Sequence, residues 1–192
     1  WRGTLMEMDT AGSRKELNSR KNRLHRVLDI VIAAAIGASA AAALFLVMYP
    51  LRVADDGMSP MLSEGDIVLI NRLSKYKSKP VRGDAAAYLA ADGSMRLGRI
   101  IAFAGETVQI QDGNVYIDGA WLDEYTYVVD FYGEMDMLTV PKDSYFMLCD
   151  NRTLAVFDAE HAIVGVKDVQ GVVCFRIYPA DRMNVLSPID AQ

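Results

Sequence analysis

Hydrophobic and polar positions divide the chain into three stretches of different grain. Residues 1–22 are mainly polar and lack apolar periodicity, which predicts a frayed or disordered tail. From Ile30 to Tyr49 the chain reads IVIAAAIGASAAAALFLVMY, 20 residues without a charge. As a helix rising about 1.5 Å per residue, this run spans the roughly 30 Å hydrocarbon core of a bilayer. A buried helix of a soluble protein usually keeps a polar stripe, and none is evident here. Ala38-Ser39-Ala40 has the small-x-small form of a signal-peptide cleavage site, but nine uncharged residues follow it, too many for a segment removed at that point. An uncleaved transmembrane anchor over 30–50 is therefore expected. The four-residue recurrence of Ala33, Gly37 and Ala41 reads as composition in so Ala-rich a run.

Beyond Val53 the pattern changes to short β-type runs bounded by turn residues. Strands are predicted at Asp66–Leu73, Ala85–Ala91, Met95–Ala104, Thr107–Gln111, Asn114–Ile117, Met137–Val140, Ser144–Cys149 and Gly171–Tyr178. Asp112-Gly113, between the fourth and fifth, is a two-residue hairpin signal that needs positive φ. The expected fold is mainly β: an antiparallel β domain over 51–192, preceded by one transmembrane helix.

Composition narrows the function classes. With 192 residues, 52% of them hydrophobic, 14 Gly and 6 Pro, the chain is neither disordered nor collagenous. Two Cys and two His leave no disulfide framework and little material for a metal site, and no cofactor is expected. The net charge of −5 argues against nucleic acid as a partner. That charge is uneven: residues 1–29 carry +3 and the remainder −8. A basic head before an apolar run places 1–29 in the cytoplasm, the anchor in the plasma membrane and the acidic body outside.

Four segments carry a resemblance. GMSPMLSEGDIVLINR is similar to the stretch of bacterial type I signal peptidases that reads S-M-x-P-T-L-x-x-G-D-x-V-L-V-N-K. RGDAAAY resembles their R-G-D-x-V-x-F strand, and LGRIIAFAGETVQIQDGNVYIDG resembles V-K-R-V-I-G-L-P-G-D-x-V-x-x-x-x-G-x-V-Y-I-N-G. VPKDSYFMLCDNR is similar to V-P-x-G-x-Y-F-V-M-G-D-N-R. Each match alone is ordinary strand vocabulary; their order and spacing make the resemblance specific.

The resemblance implies a serine nucleophile deprotonated by a neutral, desolvated lysine. The positions that match these two groups are Gly57 and Gly98, which supply neither a nucleophile nor a proton acceptor. Ser59, two positions on, is displaced by roughly 6.6 Å if the segment is extended. Arg99, next to the vacated lysine position, stays charged and cannot act as a base. Some relatives use His there, but His25 lies in the head and His161 in another segment. Ungapped spacing also puts Ala155, Phe157, Asp158 and Ala159 where the family has S, D, S and R. Cys149 replaces a Gly, Asp55 another Gly, and Ala104 a Pro, while Asp150, Asn151 and Arg152 match.

These residues lead to the expectation of a non-enzyme, a signal-peptidase-like protein without the dyad. It would bind a secreted or surface polypeptide at the membrane as a chaperone or assembly factor, with pilus assembly and a pilin partner implied by family resemblance. The candidate peptide groove is Asp55, Met58, Ser59, Pro60 and Arg99. The alternative is an active signal peptidase with displaced catalytic groups. Tyr76 with Lys75, Lys77 and Lys79 forms a basic loop, read as solvated rather than as touching lipid headgroups. Met58 and Met61 read as groove or core lining, and Trp121, Tyr125 and Tyr127 as strand packing. Cys149 and Cys174 are expected as buried free thiols rather than a bridge.

Overall fold

The structure is a computed structural model that describes residues 2–75, 80–123, 133–153 and 162–186, with side chains from Arg23 onward except Leu24 and Lys75. The chain forms two compact units, Trp1–Leu46 and Val47–Gln192.

The first unit is helix α1, Arg2–Val47. Its segment His25–Val47, 23 residues with mean hydropathy 2.5, is long and apolar enough to cross a membrane. The side chains of Ile30, Phe45 and Leu46 are exposed. The polar tail, expected to fray, is helical backbone continuous with this segment. Residues 1–22 contain no proline, and extending an existing helix needs no new nucleus. The helix also ends earlier than the expected anchor, because Met48, Tyr49 and Pro50 already belong to the sheet.

The second unit is mainly β, and its paired strands among the described residues are antiparallel. Its strands are β1 Met48–Arg52, β2 Ile67–Asn71, β3 Ala85–Leu89, β4 Met95–Phe103, β5 Thr107–Gln111 and β6 Asn114–Ile117. They continue as β7 Ala120–Trp121, β8 Met135–Thr139, β9 Ser144–Leu148, β10 Ile163–Gly165, β11 Val169–Tyr178 and β12 Asn184–Val185. The large sheet runs β1-β2-β11-β3-β4-β9-β10, with β12 on β11, and the small one β7-β6-β5-β8.

Alternation explains which faces are buried. In β2 Val68 and Ile70 point into a cluster with Val53, Met58, Leu62 and Val173. In the small sheet Val108, Ile110, Val115 and Ile117 pack with Ile101, Phe146 and Leu148 of the large one. The centre of β4 is buried continuously from Gly98 to Ala102, because both of its faces are covered. The β5–β6 hairpin turns at Asp112 and Gly113 with φ of 51° and 76°, the paired positive values that its sequence predicts. Gly171 on β11 admits no side chain, since a Cβ there would lie 2.3 Å from the Asn71 carbonyl oxygen.

Candidate functional site

Strand β4 carries an arginine into the interior. Arg99 is 1% exposed and donates from Nε to Asp150 Oδ1 at 2.7 Å and from Nη2 to Asp150 Oδ2. Its Nη1 donates to the Gly83 carbonyl and Nη2 also reaches Met61 Sδ. Asp150 is fully buried, so the two charges neutralise each other where neither has water. Arg99 therefore has no side-chain surface to offer a peptide, and its place among the groove candidates is corrected. Met58, 1% exposed, is corrected in the same way: it packs under the sheet with Leu62 and Val68. Beside Arg99, burial raises the carboxyl of Asp84 above its usual range, against the lowering effects of the Val81 amide and the Arg99 charge.

The loop from Val53 to Asp66 is tied at both ends. Val53 donates to the Asp66 carbonyl and Gly65 to that of Val53. The Asp66 carboxylate takes Arg182 at 2.8 Å and Arg176 at 3.3 Å. Within the loop, Asp55 Oδ1 accepts the Gly57 amide at 2.8 Å and Asp56 Oδ1 that of Glu64 at 2.9 Å. The Gly57 carbonyl accepts the Asn151 amide at 2.9 Å, which fastens the loop to the chain just after β9. Asp55 and Pro60 are exposed and Ser59 is half-buried.

Gly57 and Gly98 both border that same stretch of chain. A Cβ on Gly57 would lie 3.5 Å from Cys149 Sγ and 2.8 Å from Asp55 Oδ1. A Cβ on Gly98 would lie 3.6 Å from the Leu148 carbonyl oxygen, between Tyr88 and the Met147 methyl at 3.4 and 3.5 Å. Both positions can therefore accept a side chain if the Asp55 carboxylate swings aside. The fold thus brings together Asp55, Gly57, Tyr88, Gly98 and Cys149, of which Tyr88 and the sulfur of Cys149 were missed as site groups. The departure of Cys149 from the family's Gly was the available signal. Burial pushes the Cys149 thiol above its ordinary range, helped by the Asp55 and Asp150 carboxylates. Burial raises Tyr88 as well, with Cys149 as the next cause. At neutral pH the sulfur is a thiol and not a thiolate, so it is unactivated.

Next to these groups one side of β4 carries no partner strand among the described residues. Strand β4 pairs with β3 along Met95–Arg99 and with β9 only along Arg99–Phe103. Among the described residues no strand bonds the other side of Met95–Gly98. Arg96 there is paired with Asp92, whose carboxyl is lowered to about 2 by hydrogen bonds from Ser94 and then by Arg96. Cys149 and Cys174 are free, half-buried thiols. Between their strands lie β3 and β4, which excludes the bridge by distance. Residues 155–159, His161, Tyr76, Lys77, Lys79, Tyr125 and Tyr127 lie outside the described residues.

Comparison with known proteins decides the family. The family described as "Signal peptidase, peptidase S26" matches residues 23–178. The chain belongs to the signal peptidase family. It is 26% identical over 151 residues to "Probable signal peptidase I-1" of Synechocystis, covering 74% of this chain and 77% of that one. It is 26% identical over 184 residues to "Signal peptidase I" of Bacillus licheniformis, covering 88% and 96%. A crystal structure of a signal peptidase I from Enterococcus faecalis is similar with a TM-score of 0.40 and 29% identity, covering 50% of this chain and 97% of that one. This membership corrects the expectation of a non-enzyme. The family is one of peptidases and these relatives are named signal peptidase I, so the family points to an enzyme. Gly57 and Gly98 bear instead on which groups would carry the chemistry.

Proposed function

We propose that this signal peptidase family member receives an extended segment of a secreted polypeptide at the outer face of the plasma membrane, its N-terminus in the cytoplasm. One observation carries the reading: at Met95–Gly98, β4 has no partner strand on one side among the described residues, beside the loop of Asp55, Ser59 and Pro60. An added strand draws its affinity from main-chain hydrogen bonds, which need no side chain at 57 or 98. Glycine at both positions widens the space that the segment enters. Hydrolysis of the bound segment is the activity that the family implies. With hydrogen alone at 57 and 98, that step draws on other groups, and Ser59 is the hydroxyl nearest in sequence. A chaperone or assembly role toward a surface polypeptide such as a pilin uses the same side of β4.

The test uses the Cys149 thiol as reporter. The detergent-solubilised full chain is incubated with an Ala-x-Ala peptide and alkylated, and both cysteines are followed by mass spectrometry. Protection of Cys149 with Cys174 unchanged is the expected result. Equal alkylation of Cys149 with and without saturating peptide sinks the reading. A preprotein assay on the same sample, with Ser59→Ala as control, reads cleavage separately.

A further inference from the structure

The loop of Asp55, Ser59 and Pro60 has little main chain left for a ligand. The Gly57 amide is bonded to Asp55 and the Gly57 carbonyl to Asn151. The Asp56 carbonyl accepts the Ser59 amide at 3.0 Å and the Met58 carbonyl that of Leu62 at 2.7 Å. What this loop presents instead is charge: residues 53–66 hold four acids and no base. Asp66 is buried and answered by Arg176 and Arg182, while Asp55, Asp56 and Glu64 are exposed.

Asp55 is the acid that stands at the site. Its Oδ1 lies 2.8 Å from the place of a Cβ on Gly57, and Cys149 Sγ flanks the same point at 3.5 Å. Burial raises the Cys149 thiol first and the Asp55 charge next, so the carboxylate is within electrostatic reach of the sulfur. The other charged groups that act on this thiol are engaged: Asp150 with Arg99, Arg96 with Asp92, and Arg152 on the Cys149 carbonyl. No cation pairs with Asp55 among the described residues. Where the family pattern has Gly and Ser, this chain has Asp55 and Gly57. A Cβ at 57 would displace the carboxylate, and glycine lets it keep this place. We propose that Asp55 selects the segment the site receives, pairing with a basic side chain, lysine or arginine, carried where the segment passes Gly57. The proposal rests on the reading that an extended segment adds to β4. Main-chain bonds along a strand do not read sequence, so selection falls to side chains. A neutral segment that covers the carboxylate removes its water and returns no partner, whereas an ammonium or guanidinium supplies a charge-assisted bond.

Fluorescence anisotropy is measured on the detergent-solubilised full chain with dye-labelled Ala-x-Ala peptides in which lysine, arginine or norleucine is placed at each position in turn. Norleucine keeps the carbon chain of lysine without its charge. At one position lysine or arginine should bind about fivefold tighter than norleucine, and the preference should shrink as salt is raised. Asp55→Asn keeps an oxygen for the Gly57 amide and should erase that ratio, while Asp56→Asn, which removes the same charge one residue away, should preserve it. Equal affinities for basic and neutral peptides, a ratio that survives Asp55→Asn, or one lost equally in both variants overturns selection by Asp55 and leaves the site for an extended segment standing. Binding of none of the peptides overturns that site, and the proposal with it.

Discussion

Arg99 and Gly98 are neighbours on β4 and differ in every physical respect that matters. Arg99 is sealed in the interior and forked onto Asp150, 51 positions away in sequence. Gly98 contributes no side chain and borders the Tyr88 ring, the Met147 methyl and, among the described residues, a stretch of β4 with no strand on its other side. The first is fixed by energetics: a buried charge needs its partner, so changing either one alone is penalised whatever the protein does. The second is free of that constraint, because the gap at 98 leaves nothing buried unpaired. Framework and site therefore respond to different pressures one residue apart, and a family resemblance can stay high in one while changing in the other.

The largest effect expected from this contrast is on stability. Arg99→Leu leaves the Asp150 carboxylate buried without its partner, at a cost of about 3–5 kcal/mol. Gly98→Ala adds a Cβ into contacts no closer than 3.4 Å and should change stability by less than about 1 kcal/mol. Combining Arg99→Leu with Asp150→Leu should restore part of the loss, since no lone charge then remains. Denaturant titration of the solubilised chain measures all three. Comparable losses for Arg99→Leu and Gly98→Ala would break the distinction.

An intermediate effect concerns chemistry. If Gly57 and Gly98 are the positions of the family's serine and lysine, Gly57→Ser combined with Gly98→Lys raises preprotein cleavage over the parent. A correctly placed base is worth on the order of a hundredfold. Neither substitution alone should do so, because a hydroxyl without a base, or an amine without a nucleophile, gains nothing. The amine would emerge between Tyr88 and Met147, surroundings that desolvate it and favour its neutral form. No gain from the pair in a chain that still folds would separate these positions from the chemistry.

Much of this framework was legible in the sequence, and the exceptions share a cause. Strands β5 and β6 appear at their predicted residues because both alternate cleanly across one buried face and meet at Asp-Gly. β1 was lost inside the apolar run: Met48 and Tyr49 suit a membrane as well as a strand, and only pairing with β2 distinguishes the two. β7 and β12, two residues each, are too short to show a period. At the site, Gly57 and Gly98 were found through resemblance, and the fold brings Gly57 to Cys149 and Gly98 to the neighbouring Leu148 carbonyl. Arg99 was misread as groove lining because its partner is remote in sequence. A solitary arginine entering the apolar run IIAFA was nevertheless a sign of a buried pair. Tyr88 was not singled out, since nothing local links it to residue 149.

The smallest effect sharpens the glycine side of the contrast, through the thiol that lies beside Gly57. Thiolate is the species that alkylating reagents attack, so a thiol whose pKa is raised reacts slowly near neutrality. Burial is the main cause of the rise at Cys149, and the Asp55 carboxylate is the next. Asp55→Asn removes that negative charge while keeping an oxygen to accept the Gly57 amide. A negative neighbour disfavours a second negative charge, so its loss must lower the thiol pKa and move the alkylation profile of Cys149 toward lower pH. The shift is modest, because desolvation remains. Cys174 supplies an internal reference: burial raises its pKa too, and Asp55 is not among the causes. Iodoacetamide rates for both cysteines, measured from neutral pH upward, should show Cys149 accelerating in the variant and Cys174 unchanged. Parallel acceleration of both would mean that the variant has loosened the fold, and no change at Cys149 would place Asp55 away from the sulfur and detach the loop of 55–60 from the edge of β4.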